Sequence, residues 1–211
     1  MADNQPSDIP DWQTAWQRKK GKRFLEFEKQ QNHPIRKLIV KKTIEVGASV
    51  LDIGCATCND YLLFRETPVK YYGRDFTPKF VKRAKQRFPD VDVELANVFD
   101  IPFEDNSIDV VYCKDLLEHL PPKKYKKAIK EMWRVTRKRM MIAFFKAPYN
   151  GETKYQIIRK LHWNNQYSKT DIVHALILDN VADIEIIDNI GNNNSTLYVV
   201  DKNEFPAVIQ C

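Results

Sequence analysis

The stretch Val50-Leu51-Asp52-Ile53-Gly54-Cys55-Ala56-Thr57 joins a short apolar run to a loop that begins with glycine. The run, 48–53, has the length of one strand, and its mostly apolar character is typical of a central parallel strand buried on both faces. Gly54 follows at once, and a glycine at a strand end lets the backbone pass close to a bound ligand. The stretch therefore predicts the first strand of an open α/β sheet, with a ligand loop at its carboxyl end.

Strand-like and helix-like segments alternate after this stretch. We predict further strands at 70–73, 91–95, 108–113 and 140–145, and helices at 78–87 and 123–135. Alternation at this spacing predicts right-handed βαβ units and a doubly wound, mostly parallel sheet. Two last segments, 184–187 and 196–200, flank a turn-rich stretch. They predict a hairpin that places one antiparallel strand in the sheet.

Composition predicts one domain. The chain has 211 residues, of which 43% are hydrophobic and 29% charged, as in ordinary globular proteins. We expect a domain at 34–204, a helical or flexible segment at 1–33 that covers the active site, and a tail at 205–211. The sequence has no apolar run of roughly 18 residues and no signal-peptide pattern, so we expect a cytoplasmic protein without a membrane span.

Two carboxylates mark the predicted ligand-binding edge. Asp52 comes just before Gly54, and Asp75 ends the second predicted strand, where a carboxylate can accept hydrogen bonds from both hydroxyls of an adenosine ribose. The alternative role for Asp75 is to cap the helix at 78–87. A dinucleotide cofactor is disfavoured, because the G-x-G-x-x-G pattern needs glycine where Ala56 and Asn59 stand.

The stretches 50–57 and 101–111, together with Asp75, resemble the class I S-adenosylmethionine-dependent methyltransferases. The resemblance is to the broad group that contains ubiquinone and menaquinone biosynthesis methyltransferases and many small-molecule enzymes. It covers roughly residues 35–145, and more loosely 164–200. It implies a seven-stranded Rossmann-like sheet with an antiparallel last strand, S-adenosylmethionine as cofactor, and in-line methyl transfer to an oxygen or nitrogen nucleophile of a small molecule or another acceptor.

The resemblance also implies a set of cofactor-binding residues at the strand ends. They are Asp52, Gly54, Cys55 and Ala56 at the methionine end, Asp75 and Phe76 at the ribose and adenine, Asn97 and Val98 at the adenine, and Lys114 in the loop that closes on the methionine moiety. Ala56 and Cys58 replace glycines of the usual G-C-G-T-G pattern. We therefore expect either a less tight loop or a slightly displaced cofactor.

The segment 115–119 offers three polar side chains after the fourth strand. If it is helical, Asp115, Glu118 and His119 share one face, and they could hold a divalent cation, as in the related quinone methyltransferases. Alternatively, His119 is the catalytic general base that takes a proton from an attacking hydroxyl. A third possibility is that His119 only packs or caps near Pro121 while the acids are solvated.

A long aromatic segment lies between the fifth strand and the hairpin. It leaves the sheet at the ligand-binding edge, so we expect it to wall the acceptor pocket together with two N-terminal tryptophans. The predicted substrate-binding residues are Trp12, Trp16, Tyr149, Trp163 and Tyr167. Trp163 and Tyr167 could instead anchor a loop.

Basic residues are concentrated in the predicted helix and just after it, and the whole stretch 121–139 can be interpreted as one basic helix. Between 121 and 139 lie nine lysines and arginines against the single acid Glu131, and a second cluster spans 18–23. These clusters favour, as one alternative, a methyltransferase that binds RNA through phosphate contacts. Against it, the helix is expected on the outside of the sheet, away from the cofactor edge. A second alternative, a catalytically inactive S-adenosylmethionine-binding protein, follows from the altered glycines.

Overall fold

The computed structural model describes residues 33–158, 162–192 and 194–203. The helices in this part of the chain are α1 (Pro34–Ile44), α2 (Tyr61–Phe64), α3 (Pro78–Arg87), α4 (Lys124–Val135) and α5 (Lys169–Ala175). None of them is long and apolar enough to cross a lipid bilayer. A short 3-10 turn spans Leu117–His119.

Seven strands form the main sheet, in the order β3-β2-β1-β4-β5-β9-β8. They are β1 (Ser49–Ile53), β2 (Lys70–Asp75), β3 (Asp92–Leu95), β4 (Ile108–Lys114), β5 (Thr136–Phe144), β8 (Val181–Ile190) and β9 (Ser195–Lys202). A separate pair consists of β6 (Ile157–Ile158) and β7 (His162–Trp163).

Strand directions confirm the predicted fold. β1 pairs in parallel with both β2 and β4, whereas β9 runs antiparallel to both β5 and β8. From β1 the chain builds β2 and β3 on one side, and then returns to place β4 on the other. The order of strands therefore reverses between β1 and β4, which is where ligands bind in open α/β sheets.

The central strands are buried on both faces, as their apolar sequence predicted. Val50 of β1 belongs to the core that includes Ile39 of α1, and Leu51 belongs to the opposite core, which includes Ile129 of α4. All four side chains are fully buried. The sheet thus lies between a layer of α1, α2 and α3 and a layer of α4 and α5, and its ligand-binding edge is left to the loops.

The boundary between α4 and β5 differs from the prediction. The helix ends at Val135 as expected, but β5 begins at Thr136 rather than at residue 140, with no loop between them. The Thr136 hydroxyl donates to the carbonyl of Met132 at 2.8 Å while its backbone is already extended. The prediction that the basic stretch 121–139 is one helix is therefore wrong for 136–139, which lie in a strand.

Candidate functional site

A cavity of about 940 Å³ lies at the carboxyl ends of β1, β2, β4 and β5. The predicted cofactor-binding residues that line it are Asp52, Gly54, Cys55, Ala56, Asp75, Phe76 and Lys114. Asn97 and Val98 are not among the lining residues, and the Asn97 side chain accepts a hydrogen bond from the backbone N–H of Phe99 at 3.1 Å. The tertiary structure thus gathers most of the predicted cofactor set in one cavity.

The loop after β1 keeps a left-handed backbone although two of its expected glycines are absent. The φ angles are 77° at Gly54, 48° at Ala56 and 57° at Cys58. A left-handed conformation costs a residue with a Cβ atom roughly 1–2 kcal/mol, so the surrounding structure must hold Ala56 and Cys58 in place. Part of that support is a turn in which the Cys58 N–H donates to the Cys55 carbonyl at 2.8 Å. The loop therefore forms a tight turn although alanine and cysteine stand where glycines were expected.

Asp75 ties this loop to the end of β2. One carboxylate oxygen accepts from the Ala56 N–H at 3.0 Å, and the other accepts from the Thr77 N–H at 2.8 Å. Burial raises the pKa of Asp75, and these two N–H groups partly oppose the shift. The N-cap of α3 is Thr77, so the alternative role of Asp75 as the cap residue is wrong. Each carboxylate oxygen can accept a further hydrogen bond from a ligand.

Asp52 sits in a buried polar network behind the loop. Its carboxylate accepts from the Tyr71 hydroxyl at 2.6 Å. Burial and the nearby Asp60 carboxylate raise the pKa of Asp52 to about 7. Asp60 in turn forms an ion pair with Arg36 of α1 at 2.7 Å and accepts a hydrogen bond from Tyr112 at 3.4 Å. The charge of Asp52 is therefore controlled by groups from three other elements.

Lys114 is the last residue of β4, not part of the loop after it as predicted. Burial opposes its charge, but the carboxylates of Asp60 and Asp115 outweigh burial and raise the pKa of Lys114. Its ammonium lies 3.5 Å from one oxygen of Asp115. Lys114 thus adds a positive charge to the part of the cavity that contains Asp52 and Asp60.

The segment 115–119 is not one helix, so the condition under which its polar side chains would share one face is not met. Asp115 has a left-handed backbone with φ 54°, and its N–H donates to the Ala143 carbonyl of β5 at 3.0 Å. This bond extends the β4–β5 pairing by one residue and delays the turn until Leu117. In the described part of the chain, no three His, Cys, Asp or Glu side chains form a group suited to a metal ion.

The contacts of His119 fix its tautomer. Its Nδ1 lies 3.0 Å from the backbone carbonyl of Trp163, and a carbonyl only accepts hydrogen bonds. Nδ1 therefore carries a proton, and in the neutral ring the lone pair lies on Nε2. Because His119 lines the cavity, this tautomer is the one that a general base needs.

Of the predicted substrate-binding aromatic residues that the structure describes, only one lines the cavity. Tyr167 lines it, with its hydroxyl donating to the Leu117 carbonyl at 2.8 Å. Tyr149 and Trp163 are not among the lining residues, and the Tyr149 hydroxyl instead donates to the Glu152 carbonyl within its own loop. Trp163 is buried, which fits the alternative that it anchors a loop. Trp12 and Trp16 lie outside the described residues.

The nine basic residues of 121–139 fall into two groups. Arg134, Arg137, Lys138 and Arg139 form ion pairs, which involve Asp105, Glu131, Asp109, Glu45 and Asp201. The second group consists of exposed lysines at the start of α4 and along it: Lys123, Lys124, Lys126, Lys127 and Lys130. Only the second group is therefore available to an anionic partner without the loss of an ion pair named above.

Sequence reasoning missed His33, Arg36, Asp60 and Tyr71. Asp60 stands in the same loop as Gly54, and a polar residue there was a usable signal. Arg36 and Tyr71 carried no signal, since a basic residue in a helix and a tyrosine in a strand are both ordinary. The fold alone brings Arg36, Asp60 and Tyr71 together behind Asp52.

Comparison with known proteins gives one family and several relatives. Residues 50–139 match the family described as "Methyltransferase domain". A demethylmenaquinone methyltransferase from Paenarthrobacter aurescens is 32% identical over 107 residues, which are 50% of this chain and 42% of the relative. A trans-aconitate 2-methyltransferase from Variovorax paradoxus is 25% identical over 113 residues, 53% of this chain and 41% of the relative. The chain thus spans less than half the length of these curated relatives.

Solved structures share the fold at low sequence identity. Magnesium protoporphyrin IX methyltransferase from Synechocystis, with bound S-adenosylhomocysteine, has a TM-score of 0.60 at 17% identity, over 80% of this chain and 82% of that chain. 1,6-didemethyltoxoflavin-N1-methyltransferase from Burkholderia thailandensis has a TM-score of 0.65 at 15% identity, over 86% and 82%. These likenesses establish the sheet and its helices.

Proposed function

We propose that this protein transfers a methyl group from S-adenosylmethionine to an oxygen or nitrogen nucleophile of a small molecule. Residues 50–139 match the family described as "Methyltransferase domain", and the sequence resembles the class I S-adenosylmethionine-dependent methyltransferases. The resemblance seen in the sequence is confirmed for the family and the fold. The cofactor of this class supplies, when bound, an electrophilic methyl group on a sulfonium. The acceptor is a separate question.

One observation carries the proposal: the hydrogen bond from Ala56 to Asp75. It joins the left-handed loop after β1 to the carboxylate at the end of β2, next to the point where the strand order reverses. A phosphate-binding loop would need glycines here, whereas a zwitterionic amino acid with a sulfonium makes a lighter demand. The residues therefore fit S-adenosylmethionine better than a dinucleotide.

Within this proposal the predicted cofactor residues have distinct tasks. Asp75 accepts from the ribose hydroxyls, with Phe76 against the adenine, and Gly54 leaves room at the methionine end. A Cβ atom at Gly54 would lie 3.1 Å from Leu116, so the close approach of this loop to the segment after β4 depends on glycine. We keep Asp52, Cys55, Ala56 and Lys114 at the methionine end. Asn97 and Val98 remain adenine contacts on the resemblance alone.

His119 is the catalytic residue we propose for an oxygen acceptor. Its Nε2 takes the proton of the attacking hydroxyl, while the Trp163 carbonyl holds Nδ1–H and stabilises the imidazolium that forms. A neutral amine acceptor needs no base. In both cases most of the acceleration comes from aligning acceptor and donor, which is the task of the cavity walls, including Tyr167.

We propose a domain at 34–204, with 1–33 covering the acceptor side through Trp12 and Trp16. His33, the last residue of that segment and the N-cap of α1, lines the cavity, whereas Trp12 and Trp16 lie outside the described residues. We propose that Tyr149 and Trp163 support the acceptor pocket from behind its lining residues and do not contact the acceptor. We also propose a cytoplasmic location, since Cys55, Cys58 and Cys113 are free thiols, as a reducing compartment allows.

Calorimetry with S-adenosylhomocysteine, followed by a methyl-release assay on candidate acceptors, tests the proposal. We expect micromolar binding of the product and turnover with at least one small acceptor. No heat of binding and no thermal shift at millimolar concentration would contradict it. Binding without turnover on any acceptor would favour the catalytically inactive alternative. Turnover that responds to added Mg²⁺ or Zn²⁺ would restore a metal role for Asp115, Glu118 and His119.

RNA binding is a second candidate, supported by the exposed lysines near the start of α4 and along it. Phosphate contacts of five lysines would make the affinity fall steeply with salt. Fluorescence anisotropy with a single-stranded and a hairpin RNA at 50 and 200 mM salt measures this. Affinity that is absent, or that does not change with salt, would exclude the candidate.

A further inference from the structure

His33 holds a buried hydrogen-bond donor at the cavity. It is the N-cap of α1, where its Nδ1 accepts from the Ile35 N–H at 3.3 Å, so Nδ1 is unprotonated. Burial, together with Lys114 and Arg36, lowers the pKa of His33 in spite of Asp115, and the ring is therefore neutral at pH 7. Its one proton sits on Nε2, which is buried and has no hydrogen-bond partner. The side chain lines the cavity.

Asp115 holds a buried acceptor at the same cavity. One of its carboxylate oxygens lies 3.5 Å from the Lys114 ammonium, and the other, Oδ1, is buried without a hydrogen-bond partner. The left-handed backbone and the hydrogen bond to Ala143 hold the residue between the ends of β4 and β5. Asp115 also lines the cavity.

The two groups lie near the same end of β5, and neither of the two buried atoms has a hydrogen-bond partner. The Asp115 N–H donates to the carbonyl of Ala143 in β5 at 3.0 Å. The His33 ring lies 5.8 Å from the ring of Phe145, the residue directly after β5. A buried donor and a buried acceptor left without partners are costly in a native protein, and a polar group that binds between them removes that cost.

We infer that His33 and Asp115 form a two-point subsite for the methyl acceptor. It takes a group that presents a hydrogen-bond acceptor and a hydrogen-bond donor side by side, as a primary carboxamide or a hydroxyl next to a carbonyl does. The carbonyl accepts from His33 Nε2–H, and the N–H or O–H donates to Asp115 Oδ1. This inference rests on the proposed function, because the cofactor residues Ala56 and Asp75 lie on the β1 and β2 side and, apart from Lys114 at the end of β4, leave the β5 side to the acceptor.

Four aromatic probes test the subsite by calorimetric titration of the full chain, with and without saturating S-adenosylhomocysteine. Benzamide and 2-hydroxyacetophenone carry both groups, acetophenone carries only the acceptor, and aniline carries only the donor. We expect at least one of the first two to bind at least tenfold more tightly than either single-function probe. The tighter of the two shows which donor, N–H or O–H, the subsite prefers.

Two variants assign the effect to the residues. His33→Asn keeps a good N-cap for α1 but removes the Nε2–H, so benzamide should bind no better than aniline. Asp115→Gly tolerates the left-handed backbone but removes the carboxylate, so benzamide should bind no better than acetophenone. His174→Asn, at an exposed histidine of α5, is the matched control and should change nothing.

Equal affinities for all four probes, or an advantage that survives both variants, would overturn the inference. Competition between S-adenosylhomocysteine and benzamide would also overturn it, because the subsite would then belong to the cofactor, while the proposed function would stand. If S-adenosylhomocysteine failed to bind, the proposed function would fall. The titrations of the free protein would still decide whether the subsite exists.

Discussion

The two sides of the cavity are built in different ways. On the β1 and β2 side, the polar groups come from a short span of sequence, and Asp75 is already bonded to Ala56 and Thr77. On the β5 side, the polar groups come from three separate parts of the chain, His33, the segment 115–119 and Tyr167, and two of them, His33 and Asp115, carry buried atoms without partners. The first side is preorganised by its own backbone, whereas the second leaves polar groups for a ligand to satisfy.

The sharpest test of this difference is His119→Gln. For an oxygen acceptor we expect turnover to fall by about 10²–10³, because a positioned base is lost, while affinity for S-adenosylhomocysteine stays within about twofold. Steady-state kinetics and calorimetry measure the two effects. His174→Gln, at an exposed histidine, is the control. A variant that loses cofactor affinity as well as turnover would show that the two sides are not separate.

Asp75→Ala should have the converse effect. Two hydrogen bonds to a carboxylate contribute about 3 kcal/mol, so we expect roughly 100-fold weaker binding of S-adenosylhomocysteine. Calorimetry checks this, with Glu94→Ala as a control at an exposed carboxylate of β3. An affinity within threefold of the wild type would remove Asp75 from the ribose site.

Asp52→Asn tests the buried network behind the loop through the pH dependence of the free energy of unfolding. The folded-state pKa of about 7 lies above the usual carboxylate value, so the ionised form is penalised in the folded protein. The wild-type free energy of unfolding should therefore fall as pH rises towards 7 and then level off, whereas the asparagine variant lacks this fall. Urea unfolding at pH 5 and pH 8 should show the variant gaining about 2 kcal/mol relative to the wild type between them. A pH-independent difference would contradict the assignment.

Ala56→Gly should give the smallest effect. Glycine relieves the left-handed strain at φ 48° but adds freedom to the unfolded chain, so we expect a net gain of about 0.5–1 kcal/mol in unfolding free energy. Ala182→Gly, at an exposed position of β8, should be neutral or destabilising. Denaturant unfolding of both variants compares them. A loss of stability in Ala56→Gly would mean that the alanine methyl group packs favourably in the loop.

The strands and helices were predictable where hydrophobic periodicity was strong, as in β1 and α3. The start of β5 was not, because Thr136 turns the chain from helix to strand without any loop residues that a sequence would reveal. The segment 115–119 was not predictable either. Its pattern suits a helix, but a hydrogen bond to Ala143 of β5 holds Asp115 in an extension of the sheet pairing.

The sequence by itself determined the alternation of strands and helices and the resemblance to methyltransferases, because glycine, alternation and carboxylates at strand ends act over a few residues. Only the tertiary structure decided the tautomers of His33 and His119, the raised pKa of Asp52 and the pairing of Arg36 with Asp60. All but the first depend on groups far apart in the chain, such as Trp163 for His119 and Tyr71 for Asp52, whereas His33 is set by its place as the N-cap of α1. Burial and the direction of a hydrogen bond are set by the packed fold, and no local pattern encodes them.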